Sequence, residues 1–593
     1  MLDRSIKGID FLCRAQGSNG GFFSEGWIGE PERKPASGNN LTGFGLRSVG
    51  ECILEIHGSL DDAALNEEID SNADGIADMK RSEAWIAMLE KARDYLIDPN
   101  GGYGHAPNQD MANSIAALRF DVALGSLGGR VLLKGSRAAI FERCFGLSKN
   151  LATSCYWVSP KCTILENFGS IQGGYSGDYG SNAVVELSQL AQIARENYGY
   201  SYSRYMSNIY DTIDKYYFTG KKAGNGGFAA QEYTEGIISN RNGYYPGTER
   251  YPIDIYSALT LENDTALKII SNYITQKDIR LLIRNTNELT PYDAHYEDNI
   301  LDAAYLYLNF EELIRAAEER GIEDYNFIME NDAVEAFAWA DEMARNVVIK
   351  DGENKIYMAL NWRSPIYSST IYDAGKQSVK ANNLCRVHAF NERYDSYGYA
   401  AMTTKVYNAD TAALTDGYTD WTAAAESDGC MEALMSVKYG AYTVIMNSYG
   451  CGAGGNAKSF SSELLEAAAG LDRGTVYKDM ISGELYSYGN GFWHSAGNVM
   501  KAEAASTLVL KAMDVYASEP VITGEGASAV VTNNTDTASD AVLYAVRYEA
   551  DGRLLEVKSE SAKAEPGVTE LRINGINADK AFIWDKKLRQ LNK

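Results

Sequence analysis

The stretch Gln172-Gly-Gly-Tyr-Ser-Gly-Asp-Tyr-Gly-Ser-Asn182 runs directly into a helical pattern, Ala183-Val-Val-Glu-Leu-Ser-Gln-Leu-Ala-Gln192. Glycine-rich turns that end in an aromatic residue also occur at Asn19–Phe23, Asn100–Tyr103 and Asn225–Phe228. Each turn separates segments whose apolar residues recur at i, i+3 and i+4, the pattern of an amphipathic helix. Such a turn, repeated between pairs of helices, is typical of a ring of helical hairpins with its turns gathered on one rim. The sequence therefore predicts an (α/α) toroid.

Helical patterns dominate the first 348 residues, and strand patterns follow them. The clearest helical segments are Ser114–Leu127, Asn182–Asn197, Ile255–Gln276, Ile300–Arg320 and Ala333–Ile349. Near residue 350 the sequence changes to β-branched and aromatic residues between glycine or polar turns, which is typical of strands. Predicted strands include Lys355–Asn361, Gly398–Lys405, Ala441–Asn447, Ala505–Lys511, Ala529–Thr532, Ala541–Val546, Leu571–Ile573 and Ala581–Asp585. Ser461–Ala468 fits a short helix within this half.

The length of 593 residues exceeds what one hydrophobic core usually supports, so we expect a multidomain chain, first α and then β. The toroid is assigned to residues 1–348. An antiparallel β-sandwich domain is assigned to residues 349–517, and a small C-terminal β-sandwich module to residues 518–593.

Composition excludes several classes of function. The net charge of −25 argues against nucleic-acid binding and against binding to anionic membranes, because both need a positive surface. No apolar run approaches the roughly 20 residues that span a bilayer, so we expect no membrane insertion. The eight cysteines lack metal-ligand spacing, and we expect no organic cofactor and a monomeric protein. Residue 1 leads directly into an amphipathic pattern, so no secretion signal is expected in this chain.

Tyr179 is the leading candidate for chemistry. Gly177 and Gly180 flank it, and glycine permits backbone conformations that push a neighbouring side chain out of a packed layer. An exposed phenol can transfer a proton. Its ordinary pKa of about 10 is too high for a base at neutral pH, so a nearby cation must favour the phenolate.

The Tyr-Ser-Gly-Asp-Tyr-Gly segment and the Leu-Ser-Gln-Leu helix after it resemble the loop that carries the catalytic tyrosine in the hyaluronate, chondroitin AC and xanthan lyases. This resemblance implies a toroidal catalytic domain and cleavage of a uronic-acid-containing polysaccharide by β-elimination. Tyr179 would be both base and acid. The resemblance also implies an acidic polysaccharide or oligosaccharide substrate and a secreted or cell-surface location, although a cytoplasmic location stays open.

Other residues fall at family positions. Asn108, ahead of the helix Ser114–Leu127, resembles the asparagine that neutralises the substrate carboxylate, and Arg241 resembles an arginine that would lower the pKa of Tyr179. The family histidine position falls at Ser170, so either His105 or Gln172 is expected to take that role. The predicted substrate-binding residues are Tyr103, Gln172 and Tyr175.

The segment Asp70-Ser-Asn-Ala-Asp-Gly-Ile-Ala-Asp78 has the spacing of a calcium-binding loop. Position six is Gly75, and position twelve, where a glutamate belongs, is Arg81. Glu83 or Asp61 would have to complete the site, and the alternative is a solvated acidic turn. A structural calcium ion is therefore a hypothesis, with oxygen ligands from Asp70, Asn72, Asp74, Ile76 and Asp78.

Two other functions stay open. A glycoside hydrolase on the same toroid would need two carboxylates about 5–10 Å apart across the cleft. Carboxylates on the predicted rim are Asp110, Asp178, Glu232 and Glu235. The second alternative is a non-catalytic glycan-binding protein, since the family histidine is missing.

Overall fold

In the computed structural model of the chain, helices occupy the N-terminal part and antiparallel sheets the C-terminal half. This is the coarse order that the sequence predicts. The structure describes residues 2–22, 39–98, 107–147, 158–164, 177–216, 256–268, 311–321, 328–329, 331–362, 368–373, 378–381, 386–390, 406–408, 413–415, 433–451, 457–495, 498–585 and 591.

Among the described residues of the N-terminal part, nine α-helices precede residue 217. They are α1 (Leu2–Ala15), α2 (Asn39–Leu46), α3 (Val49–His57), α4 (Asp62–Asn66), α5 (Arg81–Leu96), α6 (Pro107–Leu127), α7 (Lys134–Cys144), α8 (Gly177–Tyr198) and α9 (Ser203–Tyr216). The short strands β1 (Glu68–Ile69) and β2 (Met79–Lys80) pair between α4 and α5. A π-helical turn at Tyr256–Thr260 and a helix over residues 311–319 follow α9. The predicted helices Ser114–Leu127 and Asn182–Asn197 are confirmed, and they lie inside the longer α6 and α8.

Helix α6 is the centre of the helical part. It contacts α2, α3, α5, α7 and α8, and most of its described side chains are buried. Glycines allow α2 and α3 to approach it closely. A Cβ on Gly43 would lie 1.9 Å from Asn113 Oδ1, and one on Gly50 would lie 2.7 Å from the backbone of Arg119. Only glycine fits at these two contacts.

Helices α6 and α8 run in the same direction. Near the C-terminal end of α8, the Tyr198 hydroxyl donates to the carbonyl of Leu118 and to Asp121 of α6. Towards its other end, Glu186 lies close enough to Cys144 to raise the pKa of that thiol, and Cys144 contacts Ser114 of α6. The N-termini of α6 and α8 therefore lie at the same end of the pair.

The predicted helix over Ala333–Ile349 is wrong. Residues Ala336–Asp341 form strand β3 and residues Asn346–Asp351 form strand β4, which pair as an antiparallel hairpin. Arg345 has a φ of 57°, the left-handed conformation that reverses the chain. The apolar run in β4 is buried on both faces of the sheet, so it lacks the alternation that distinguishes a strand from a helix.

Strands β3 and β4 begin a five-stranded antiparallel sheet. Its other strands are β5 (Asn354–Trp362), β6 (Ser368–Asp373) and β7 (Ser378–Ala381), in the order β3-β4-β5-β6-β7. One face of this sheet contributes residues to the core of the helical part, and the other face contributes residues to a core shared with the next sheet. Val348 and Tyr357 belong to the core of the helical part, whereas Val347, Ile349 and Met358 pack against residues of the next sheet. The helices and this sheet thus share buried surface.

The next sheet has ten strands. In spatial order they are β10 (Ala413–Thr415), β9 (Val406–Asn408), β8 (Arg386–Phe390), β11 (Ala433–Tyr439), β12 (Tyr442–Asn447), β19 (Ser506–Ala512), β14 (Tyr477–Asp479), β15 (Leu485–Gly489), β16 (Phe492–Ser495) and β17 (Asn498–Val499). The helix Ser462–Ala469 packs through Leu465 on the face of the ten-stranded sheet that points away from the five-stranded sheet. The predicted short helix is therefore confirmed. Strands β13 (Phe460–Ser461) and β18 (Lys501–Ala502) pair separately. The predicted strand Gly398–Lys405 lies outside the described residues.

A small module ends the chain. Its strands are β20 (Val515–Ala517), β21 (Val521–Thr523), β22 (Gly526–Asn533), β23 (Ser539–Tyr548), β24 (Leu554–Ala564), β25 (Gly567–Asn574) and β26 (Lys580–Trp584). Strands β20, β22, β21 and β25 form one sheet, and β24, β23 and β26 form the other. A core that includes Val531, Leu543 and Ile583 contains residues of both sheets. The four strands predicted here are confirmed.

Candidate active site

The candidate site is the end of the α6–α8 pair where both helices begin. Asn108 and Tyr179 lie in the first turns of α6 and α8, not in loops ahead of these helices as the sequence predicted. Pro107 suits the first position of a helix because its fixed φ is helical and its missing N–H is not needed there. An acidic residue such as Asp178 is also favoured in a first turn. Both helices therefore begin earlier than their apolar patterns.

The other predicted site residues lie outside the described part of the chain. They are Tyr103, His105, Gln172, Tyr175 and Arg241. Their roles remain predictions from the sequence.

Two buried carboxylates lie on these helices, Asp110 in the first turn of α6 and Glu186 near the middle of α8. Asp110 of α6 is completely buried, and the Arg143 guanidinium of α7 donates to it at 2.7 and 3.2 Å. Glu186 of α8 is also buried, and Arg47 lies 4.0 Å from it. Arg143 and Arg47 are partly exposed, so each ion pair joins a buried carboxylate to a cation nearer the surface.

Cys144 lies beneath this end of the pair. Its thiol contacts the Ser114 hydroxyl at 3.3 Å, and that hydroxyl donates to the carbonyl of Asp110. Burial raises the pKa of Cys144 to about 12, and the charges of Asp110 and Glu186 add to the effect. The thiol is therefore protonated at neutral pH and behaves as a small apolar group.

The opposite end of α6 is held by Asp121. This buried carboxylate accepts hydrogen bonds from Arg93 at 3.2 Å, Arg137 at 2.8 Å, the Leu132 backbone at 2.6 Å and the Tyr198 hydroxyl at 3.1 Å. Because these donors come from α5, α7, α8 and the segment after α6, one side chain fixes four neighbours of α6. The network fixes α6 to α5, α7 and α8 at this end.

The first of the repeated glycine turns shows why glycine is needed in it. Gly20 has a φ of 96°, and a Cβ on it would lie 2.3 Å from the carbonyl oxygen of Lys91 in α5. Gln16 donates to the carbonyls of Gly20 and Met88, which ties the turn to the same helix. The turn is thus packed directly against a helix backbone. The described residues include this turn only as far as Phe22.

The proposed calcium loop is closed by its own polar groups. Asp70 accepts hydrogen bonds from the backbone of Ala73 at 2.8 Å and Gly75 at 3.0 Å. Partial desolvation opposes ionisation of Asp70, but the bonds from Gly75, Ala73 and Asn72 outweigh it and lower its pKa. Asp78 accepts bonds from Ser71 and Asn72. Gly75 has a φ of 86°, as expected at the sixth position.

Two residues have roles outside this loop: Arg81 at its twelfth position, and Asp61, which together with Glu83 was a candidate to complete it. Arg81 is buried and pairs with Asp10 at 3.1 Å and Glu67 at 2.8 Å. Asp61 caps α4 by accepting a bond from the Ala64 backbone at 2.8 Å. In the part of the chain that the structure describes, no three His, Cys, Asp or Glu side chains converge as a metal-binding group.

Comparison with known proteins gives no match, either to a protein-family model or to a curated protein.

None of the helices within the described ranges has the length and apolarity needed to cross a membrane.

Sequence reasoning missed Arg47, Arg143 and Glu186 at the candidate site. Arg143 lies 33 residues from its partner Asp110 along the chain. No local motif marks such a pair, because the contact exists only when α7 folds back along α6. The one available signal is a glutamate in the otherwise apolar face of the α8 pattern, since a buried carboxylate requires a partner.

Proposed function

We propose that the protein is a polysaccharide lyase that cleaves a uronic-acid-containing glycan by β-elimination. The observation that carries the proposal is the parallel packing of α6 and α8. It brings the first turns that contain Asn108 and Tyr179 to the same end of one helix pair. The resemblance of the Tyr179 segment to the lyase loop supplies the chemistry.

In the proposed reaction the Tyr179 phenolate removes the proton from the carbon α to the uronate carboxylate. The electron pair of that C–H bond forms a double bond to the β carbon, and the bond from the β carbon to the glycosidic oxygen breaks. The departing oxygen takes its proton from Tyr179, which returns to the phenolate. Asn108 donates to the carboxylate, on which negative charge accumulates in the transition state.

Helix N-termini favour both steps. Each carries a partial positive charge of about half an elementary charge from its unpaired N–H groups. A phenol in the first turn of α8 has its phenolate stabilised by this charge, and a carboxylate near the first turn of α6 is stabilised in the same way. His105 or Gln172, together with Arg241, would complete the neutralisation of the carboxylate. Tyr103 and Tyr175 would hold the sugar rings.

The finer architecture belongs to the same proposal. We propose that the helical part is an (α/α) toroid, because α6 and α8 are parallel neighbours while α7, whose Arg137 and Arg143 contact Asp121 and Asp110, runs antiparallel to α6. The core shared by the five- and ten-stranded sheets supports a β-sandwich. We also propose that the protein is a monomer that is secreted or lies on the cell surface, where an acidic polysaccharide would be accessible to it.

A hydrolase is less well supported. Asp110, one of its four candidate carboxylates, is fully buried and bonded to Arg143, so it is poorly placed to protonate a glycosidic oxygen. Asp178 lies in the first turn of α8. Glu232 and Glu235 lie outside the described residues.

The test is absorbance of the unsaturated uronate during incubation with uronic-acid polysaccharides, because hydrolysis forms no such double bond. We expect the wild-type protein to produce this signal and Tyr179→Phe to lose at least about a hundredfold in rate, the usual size of an acid–base contribution. Tyr205→Phe, a change on α9, is the matched control and should retain full activity. Full activity of a folded Tyr179→Phe protein would refute the role of Tyr179, and new reducing ends without the absorbance would indicate a hydrolase.

A structural calcium ion is a second, separate proposal. Its support is the oxygen-rich spacing from Asp70 to Asp78, with Asn72, Asp74 and the carbonyl of Ile76 as further ligands. We expect calcium to raise the melting temperature of the wild-type protein relative to a chelator, and Asp74→Asn to abolish the difference. Asp62→Asn, outside the loop, is the control. Identical melting temperatures with calcium and with chelator would refute this site.

A further inference from the structure

Three aromatic side chains share one face of the C-terminal module. Phe582 and Trp584 are two residues apart on β26, and Tyr544 pairs with Phe582 across the strands. The ring centroids of Tyr544 and Trp584 are 5.1 Å apart, and those of Phe582 and Trp584 are 5.7 Å apart with their planes at 29°. All three are partly exposed. We name Tyr544, Phe582 and Trp584 the aromatic platform.

The register shows that the aromatic platform lies on the outer face of its sheet. Side chains alternate between the faces of a strand, and Leu543, Ala545 and Ile583 are the buried residues that face the core of the module. The residues between them, which include Tyr544 and Phe582, therefore point away from that core. Three large rings on an outward face do not serve the packing between the two sheets.

Polar side chains border the aromatic platform. Across the sheet, Ser559 of β24 lies opposite Tyr544, and Ser561 lies opposite Val542, the partner of Trp584. Lys580 begins β26 on the same face as Phe582, and its ammonium lies 5.7 Å from the Tyr548 ring. Among the described residues Lys580 takes part in no ion pair. The face thus combines flat apolar rings with hydroxyl donors and a cation.

We propose that the aromatic platform is a binding site for an acidic polysaccharide, separate from the candidate active site. Sugar rings have apolar C–H faces and polar edges, so they stack on aromatic side chains while their hydroxyl groups bond to neighbouring serines. Lys580 is complementary to a uronate carboxylate. The net charge of −25 repels anions at long range, and the Lys580 cation beside the exposed rings is the local feature that favours an anionic partner over a neutral one at contact. The acidic nature of the glycan rests on the proposed function.

Binding at this face would hold the polymer near the protein between cleavage events. A second attachment point raises the effective concentration of the substrate at the first, without changing the chemistry there. The aromatic platform is therefore expected to matter for long polymers and not for short oligosaccharides.

The test is the retardation of the full-length Tyr179→Phe protein during native electrophoresis through gels that contain hyaluronate, xanthan, alginate or neutral xylan. We expect Trp584→Ala to weaken the binding of an acidic polymer about tenfold. Lys580→Gln, a change at an exposed position, should weaken it about threefold at low salt and not at high salt. Phe492→Ala, which removes a partly exposed ring from the ten-stranded sheet, should leave binding unchanged.

The outcomes separate this inference from the proposed function, which is measured by the absorbance of wild-type reactions. Retardation that depends on Trp584 and Lys580 supports the site even if no unsaturated uronate forms. Equal retardation of Lys580→Gln, Phe492→Ala and the parent protein at low salt overturns it, even if cleavage occurs. Retardation only by xylan overturns the acidic specificity.

Discussion

Asp121 is the residue on which the arrangement of the central helices depends most. Its carboxylate neutralises Arg93, whose side chain is completely buried. We expect Asp121→Asn to lower the free energy of unfolding by about 3–5 kcal/mol, because it removes the buried charge that pairs with Arg93 and Arg137 and leaves Arg93 only the half-exposed Asp94. Urea denaturation measures this change. Asp3→Asn, which breaks an exposed pair with Lys7, should change stability by less than about 0.5 kcal/mol, and an equal effect of both substitutions would contradict the prediction.

Asp214 on α9 should make stability depend on pH. Burial raises the pKa of this carboxyl from 3.8 to about 6, with Asp211 adding to the shift and Lys268 and Lys215 opposing it. Between these two values the folded state holds a proton that the unfolded state has lost, so raising the pH through this window destabilises the protein. The penalty is complete above pH 6.

We expect Asp214→Asn to be more stable than wild type by about 1–3 kcal/mol at pH 7.5, and the advantage to shrink as the pH falls towards 4. Urea denaturation of both proteins at several pH values measures the difference. Asp62→Asn, a change at an exposed position on α4, is the control, because Asp62 does not contribute to the shift at Asp214. A difference that stays constant with pH would show that Asp214 does not carry the effect.

At the residue scale, the sequence identified positions through local motifs and missed those defined by contact. Tyr179 stands out because glycines flank it, and Asn108 because it precedes a helical pattern; their catalytic roles stay predictions. Glu186 is marked only as a charged residue on an apolar helix face, and Arg143 carries no mark, since their pairing follows from the folding of α7 and α8 against α6. The partner of a buried charge is a property of the tertiary structure, so one sequence does not identify it.

At the scale of helices, a glycine in the close contact between α3 and α6 and a glycine on the exposed side of α1 should respond to substitution by alanine with opposite changes in stability. We expect Gly50→Ala to destabilise the protein by about 1–3 kcal/mol, because its Cβ would overlap the backbone of Arg119, which has no room to move. Gly8→Ala on α1 meets no atom within 4 Å and should stabilise the protein by about 0.5–1 kcal/mol. Thermal denaturation measures both, and stabilisation by Gly50→Ala would show that the two helices are not so close.

Element types were predictable where the period of apolar residues was unambiguous. The strand patterns of β5, β12 and β19 alternate or end at clear turns, and they were assigned correctly. The β3–β4 hairpin was taken for a helix because Val347-Val348-Ile349 is buried on both sides, by the helical core on one face and the second sheet on the other. A strand between two layers has no polar face to reveal its period.

For the whole molecule, the cores divide the chain into two cooperative units. The helical core extends into the five-stranded sheet, and that sheet shares its other face with the ten-stranded sheet. The described core of the C-terminal module begins at Ala517 and contains residues of that module alone. We expect calorimetry to show two transitions, because only units with separate cores unfold separately.

A chain shortened to residues 1–513 should retain the larger transition at an unchanged temperature and lose the smaller one. Glu342→Gln, which weakens the 2.6 Å pair with Lys161 between the helical part and the sheets, is a contrasting variant and should lower the larger transition only. A single transition for the full chain, or loss of all cooperative unfolding in the shortened chain, would contradict this division.

The contribution of Val348 and Tyr357 to the helical core has a consequence for biosynthesis. The ribosome releases the helices first, and their buried surface is incomplete until the β4–β5 hairpin has left the exit tunnel. During that interval the nascent helical part presents an apolar face to the cell. Val348 and Tyr357, which complete this core, are encoded some 150 codons after α8. We therefore expect the nascent helical part to need chaperones or rapid elongation to avoid aggregation.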